Sequence, residues 1–221
     1  MKQKFLKITL ALFIVGGLSS CKDGAKEAET TEAQEVAEAT VESISYMVDT
    51  ANTTINWSGS KPTGTHTGTI NVAKGMISVN DNTVEAGTFM IDMKTIECTD
   101  LEGEMKTNLE AHLMGTVEGK EGDFFNVNEF PMAEFEMTGM SEVDGKTMIE
   151  GNLTLKGETN NISFPATVDV NGKQVTITSE TFAIDRTKWG VNYGSKSVFD
   201  GLGDKFISDD IELTINLVAT K

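Results

Sequence analysis

The chain has 221 residues, with 34 acidic side chains against 18 basic ones, a formal net charge of −16 and an isoelectric point near 4.5. Such a surface repels phosphate backbones, so nucleic acid is excluded as a partner. Only two cysteines are present, Cys21 and Cys98, and no disulfide is expected between them.

Lys2, Lys4 and Lys7 precede an apolar run from Ile8 to Leu18, which closes on Leu18-Ser19-Ser20-Cys21. This is the layout of an export signal with small residues at its cut site, and its ending resembles the lipobox of bacterial lipoproteins. Residues 1–20 are therefore expected to be removed and Cys21 to be acylated. That would place the protein in the cell envelope, held to the membrane by lipid, on the periplasmic face or the outer-membrane surface. The apolar run itself is too short to span a bilayer comfortably.

Residues 21–43 follow as the acylated cysteine and a segment carrying seven acids and two lysines from Lys22 to Ser43, with few large apolar residues. A stretch that buries so little cannot offset its lost chain entropy, which predicts a disordered acidic tether.

From residue 44 to 221 the pattern changes to short segments of period two. Ile55 and Trp57 alternate with polar neighbours, as do Phe89, Ile91 and Met93, then Phe135 and Met137, Leu153 and Leu155, and finally Ile211, Leu213, Ile215 and Leu217. Each segment has one apolar and one polar face, the mark of antiparallel strands. Turn residues separate them at Asn80-Asp81-Asn82, Asp144-Gly145, Thr159-Asn160-Asn161 and Asn171-Gly172. Between Thr95 and Phe130 the alternation stops, and Leu101, Met105, Leu109 and Leu113 fall at helical spacing, which predicts one or two short helices capping the β-structure. The fold class is therefore all-β, an antiparallel sheet of about eight strands that curls into a barrel and so leaves no edge exposed.

Candidate chemistry is sparse. His66 and His112 are the only histidines and show no ligand spacing, so no metal site is legible. No serine stands in a nucleophile elbow and no cysteine–histidine arrangement is apparent, so no catalytic residue is assigned and the chain is not expected to be an enzyme. Cys98 reads as a small buried side chain. Asp204, Asp209, Asp210 and Glu212 lack the glycine-centred spacing of a calcium loop. Arg186 is the only arginine of the chain, so its position calls for a forked, permanently charged donor. It is expected to pair with Asp49, Asp185 or Asp209 and pin strand ends, the other reading being contact with a ligand headgroup.

Tyr46 to Asp49, Thr54-Ile55-Asn56-Trp57, His66-Thr67-Gly68, Ala111-His112-Leu113, Asp123-Phe124-Phe125, Glu129-Phe130-Pro131, Gly151 to Gly157 and Ile184-Asp185-Arg186 through Gly190 occur in order. Together they resemble the YceI-like, polyisoprenoid-binding family. The resemblance implies an extended lipocalin-like eight-stranded barrel with a helical segment near one mouth. It also implies a long apolar channel for an isoprenoid chain, no catalysis and no cofactor beyond that bound lipid, and it allows a homodimer. The segment Met114 to Gly122 is longer than the family pattern, and Glu158 and Asn160 depart from it.

The alternation predicts that Trp57, Ile70, Phe89, Ile91, Phe135, Met137, Leu153, Leu155, Ile184, Leu213 and Ile215 line the channel, with Leu113, Phe124 and Phe125 near its mouth. The expected function is non-catalytic binding, storage or transport of a long amphiphilic isoprenoid, a polyprenyl phosphate or an isoprenoid quinone. The alternative is a filled barrel acting as an envelope stress-response or protein-interaction module.

Overall fold

The computed structural model describes residues 25–221; the expected export signal and the acylated Cys21 lie outside the described residues. In chain order the elements are β1 (Lys26–Glu27), β2 (Glu29–Glu32), β3 (Ile44–Val48), β4 (Thr54–Lys61), β5 (Gly64–Asn80), β6 (Thr83–Cys98), α1 (Gly103–Met114), β7 (Met132–Val143), β8 (Lys146–Leu155), β9 (Glu158–Val170), β10 (Gln174–Ser179), β11 (Phe182–Asp185) and β12 (Asp210–Thr220). No described helix is long and apolar enough to cross a membrane.

Pairing is antiparallel around a closed circuit, β4 to β5, β6, β7, β8, β9, β10, β12 and back to β4. β3 continues the stave of β4, since both pair with β5 and β12. β11 continues that of β10, since both pair with β12. The result is an eight-stave ring, the all-β barrel expected from the alternation and the lipocalin-like form that the resemblance implies. Period-two patterning bends into a ring because closure satisfies every edge.

The hairpins follow from turn chemistry. Asp81 and Asn82, Asp144 and Gly145, and Lys156 and Gly157 all have positive φ, as two-residue turns matched to strand twist require. The third pair corrects the expected turn at Thr159-Asn160-Asn161, which lies inside β9. Lys156 and Gly157 already reverse the chain, and the two asparagines work from the strand. Asn161 Nδ2 donates to Thr138 Oγ1 and Asn152 Oδ1, and Asn160 Nδ2 to the Lys188 carbonyl.

The predicted disordered tether is also corrected over its described part. β10 pairs with β9 through Val170 to Ala166, but β11 does not pair with the lower half of β9. β1 and β2 fill that seam, with Lys26 and Glu27 parallel to Phe182 and Ala183, and Glu29 to Glu32 antiparallel to Ser163 through Asn160. Between them Ala28 is 5% exposed and packs into the core. Backbone pairing, not apolar burial, orders this acidic segment. The strap then crosses the outer face of the ring. The Asn152 side chain accepts from Gln34 N–H at 2.9 Å and donates to the Gln34 carbonyl at 2.7 Å, imitating a strand partner. Ala37 N–H donates to the Met137 carbonyl beside the register shift of β7. Glu85 accepts from Thr40 N–H and from the Thr40 and Ser43 hydroxyls.

One helix forms in the interrupted region. α1 ends at Gly115, which is left-handed at φ 69°, and a Cβ there would sit 2.6 Å from the Glu121 carbonyl and 2.9 Å from the Asn126 Cα. Only glycine lets the loop fold back under the helix.

Candidate functional site

Inward-facing side chains leave a cavity of about 300 Å³ along the axis of the ring, with an almost wholly apolar wall. Its wall follows β12 from Ile211 to Leu217, about 20 Å of strand at ~3.4 Å per residue. One end is polar, where Gly59, Ser60, Lys61, His66, Ser208 and Asp210 gather near the β4–β5 hairpin and the start of β12. Leu109 and Leu113 of α1 border the same space, so the helix roofs that end. At the other end Tyr46, Ile77, Val175 and Ala219 are 0–2% exposed and lie outside the lining. The void is therefore a blind tunnel with an oily floor and a polar rim.

The structure brings the residues named from alternation to this one space. Trp57, Ile70, Phe89, Ile91, Phe135, Met137, Leu153, Leu155, Ile184, Leu213 and Ile215 border the cavity, as do Leu113, Phe124 and Phe125. Trp57 is oriented by its Nε1–H, which donates to the Thr69 carbonyl. Its ring fills the space beside Gly68, where a Cβ would lie 2.2 Å from it. Phe124 is 7% exposed and forms an aromatic group with His112 and Tyr193, at centroid distances of 5.0 Å from His112 and 5.4 Å from Tyr193. His112 Nε2 lies 2.7 Å from Asp123 Oδ2. This ties the end of α1 to the loop that precedes Phe124.

Other lining residues were not named from the sequence. Phe164 and Phe182 stack at 4.4 Å and border the tunnel, as do Ile162, Ile177 and Ile149. Ile162 and Phe164 share a period-two pattern that would have revealed them had the preceding asparagines not been read as a turn.

Arg186 is 1% exposed and also borders the cavity. Its guanidinium is held chiefly by backbone. Nε donates to the Ser208 carbonyl, Nη1 to Val191 and Nη2 to Ile207. Of the three expected acids Asp209 pairs with it, Nη2 to Oδ1 at 3.7 Å, while the carbonyls take its hydrogen bonds. Burial pushes this guanidinium below its usual value, and Asp209 and Asp185 oppose that shift. Asp185 caps the following turn by accepting from Thr187 N–H and Oγ1, and Asp49 serves Ala51 and Asn52 in its own turn. Arg186 thus staples the segment 191–208 to the end of β11.

A second polar group lies at the rim. Cys98 is fully buried and unpaired, and its Sγ donates to Asp100 Oδ1 at 3.2 Å. Asp100 Oδ2 lies 2.9 Å from His66 Nδ1. The Thr67 N–H, and after it the His66 ring, hold the Asp100 carboxyl down at about 2.

Comparison with known proteins agrees with this architecture. A family model, the YceI-like domain, matches residues 46–219. The Burkholderia cenocepacia BcnA structure is similar at 22% identity with a TM-score of 0.58, over 78% of this chain and 99% of that one. A polyisoprenoid binding domain from Saccharophagus degradans, described as implicated in plant cell wall breakdown, is similar at 12% identity and a TM-score of 0.55, over 84% of this chain and 99% of that one. No curated protein matches the chain.

Proposed function

The chain belongs to the YceI-like family, and from that premise we propose that it binds a long isoprenoid lipid, without catalysis, in its blind tunnel. The observation that carries this reading is the cavity itself, an almost wholly apolar space inside a closed ring, with polar groups at one end only. Its volume lies at the lower end of the roughly 300–1,000 Å³ typical of small-molecule sites. In that space the tail runs toward Leu217 and the polar head stays at Lys61, His66 and Ser208. A related domain named for polyisoprenoid binding supports the ligand class.

Energetics suit a carrier. Each CH₂ removed from water contributes about 0.8 kcal/mol, but such a lipid normally lies in a bilayer as apolar as the tunnel. Exchange between the two is then close to balanced and reversible. Acylation of Cys21 would hold the protein at the envelope membrane that supplies its ligand.

Native mass spectrometry and organic extraction of gently purified protein test the proposal. Co-purifying polyprenyl phosphate or isoprenoid quinone, up to one per chain, is the expected result. A barrel that is empty on purification and takes up neither lipid from vesicles would defeat it and leave the protein-interaction alternative.

A further inference from the structure

The ladder between β5 and β6 pairs Gly68 with Cys98, and extending that register sets His66 opposite Asp100. Thr99 N–H donates to the Thr67 carbonyl and keeps the end of β6 on β5. The chain bends just after Cys98, at Thr99 and Asp100, and brings the Asp100 carboxylate back to the thiol, Cys98 Sγ lying 3.2 Å from Asp100 Oδ1. An imidazole, a thiol and a carboxylate converge, with one His66 ring nitrogen, Cys98 Sγ and one Asp100 oxygen all within 4.8 Å of one another. Among the described residues this is the cluster of three such donors, and through His66 it borders the polar end of the tunnel.

We propose that His66, Cys98 and Asp100 form a binding site for a borderline-soft divalent cation of the zinc class at the rim of the tunnel. A mixed nitrogen, sulfur and oxygen donor set selects that class over magnesium or calcium, which prefer oxygen alone. Three protein ligands leave a fourth, tetrahedral position for water or for an anionic ligand group. The approach is open on one side. The His66 and Asp100 side chains are 28% and 29% exposed, while the thiol forms the buried floor.

Outer contacts hold the ligands as metal sites require. Thr67 N–H fixes Asp100 Oδ1 at 2.8 Å, and Glu110 of α1 accepts from Cys98 N–H at 2.9 Å. On binding, the S–H bond of Cys98 breaks as the metal–sulfur bond forms, and the proton leaves to solvent. His66 enters as the neutral imidazole, Asp100 as the carboxylate, and no electron is transferred.

Cobalt(II) titration of the full chain, followed by zinc displacement, tests the site. One cobalt per chain with a thiolate-to-metal charge-transfer band is expected, abolished in Cys98→Val and unchanged in Cys21→Ser. His66→Ala and Asp100→Asn should each weaken binding at least about tenfold. Because Cys98 is part of the packed interior, a melting curve accompanies each variant. His66→Ala, at a part-exposed position, keeps the test valid if Cys98→Val does not fold. Absence of the band, or a band that survives both Cys98→Val and His66→Ala, overturns the site. Absence of the band leaves the lipid reading standing, since extraction of the wild-type protein measures lipid separately.

Discussion

Three backbone carbonyls converge on Arg186, and no lysine can replace that geometry, because a single ammonium on a flexible stem cannot reach all three at once. Arg186→Lys should cost about 2–4 kcal/mol through carbonyls left buried and unpaired, seen as a lower urea midpoint. If the residue is a staple and not a headgroup contact, lipid retained per folded molecule should not change. The importance of this position was legible, since the chain spends its single arginine here. Its partners were not, because carbonyls carry no signature in the sequence. His66, Cys98 and Asp100 were likewise visible one by one, and only the strand register turns them into a group.

The strap of residues 25–43 is the element that composition misread. Lys26 to Glu32 has no apolar face and buries only Ala28, so neither hydrophobicity nor period could reveal it. What recruits it is an unfilled seam between β9 and β11, a property of the ring and not of the segment. Asn152→Ala should destabilise the protein by about 1–3 kcal/mol, because Gln34 then loses the partner for both its N–H and its carbonyl. Faster amide exchange at residues 29–37 would report it.

The strap should also respond to acid. Hydrogen bonds from Ser43 and Thr40 lower the Glu85 carboxyl from 4.5 to about 2. A carboxyl whose pKa is depressed in the folded state stabilises it fully above the unfolded value and loses that contribution as pH falls through the folded one. Protection of residues 37–43 should therefore decline between about pH 4.5 and about pH 2, with Glu85→Gln removing the pH dependence in that window. A wild-type profile flat across it would refute the assignment.

At the scale of the molecule, alternation was enough to find the ring, its inner face and the cap. Every segment with one apolar side had to turn that side inward once closure left no other core. The size of the void was not legible, because the same residues could have met at the centre and filled it. Tyr46, Ile77 and Val175 do so at the floor. Filling the rest should separate stability from function. Ala133 borders the cavity, and Ala133→Phe should reduce co-purifying lipid at least about tenfold, in line with a mismatch of a few kcal/mol in a tight site. The melting temperature should stay within a few degrees of lipid-free wild type. Equal loss of both would point to misfolding instead.

The pairing of the strap with the seam also sets the order of assembly. Ala25 N–H reaches Glu212 across 187 residues of sequence, so the earliest part of the described chain to leave a ribosome must wait for the last strands before it can dock. Contacts so distant in sequence form late and slowly. Until they do, the side of the ring between β9 and β11 stays open along the seam that this segment fills.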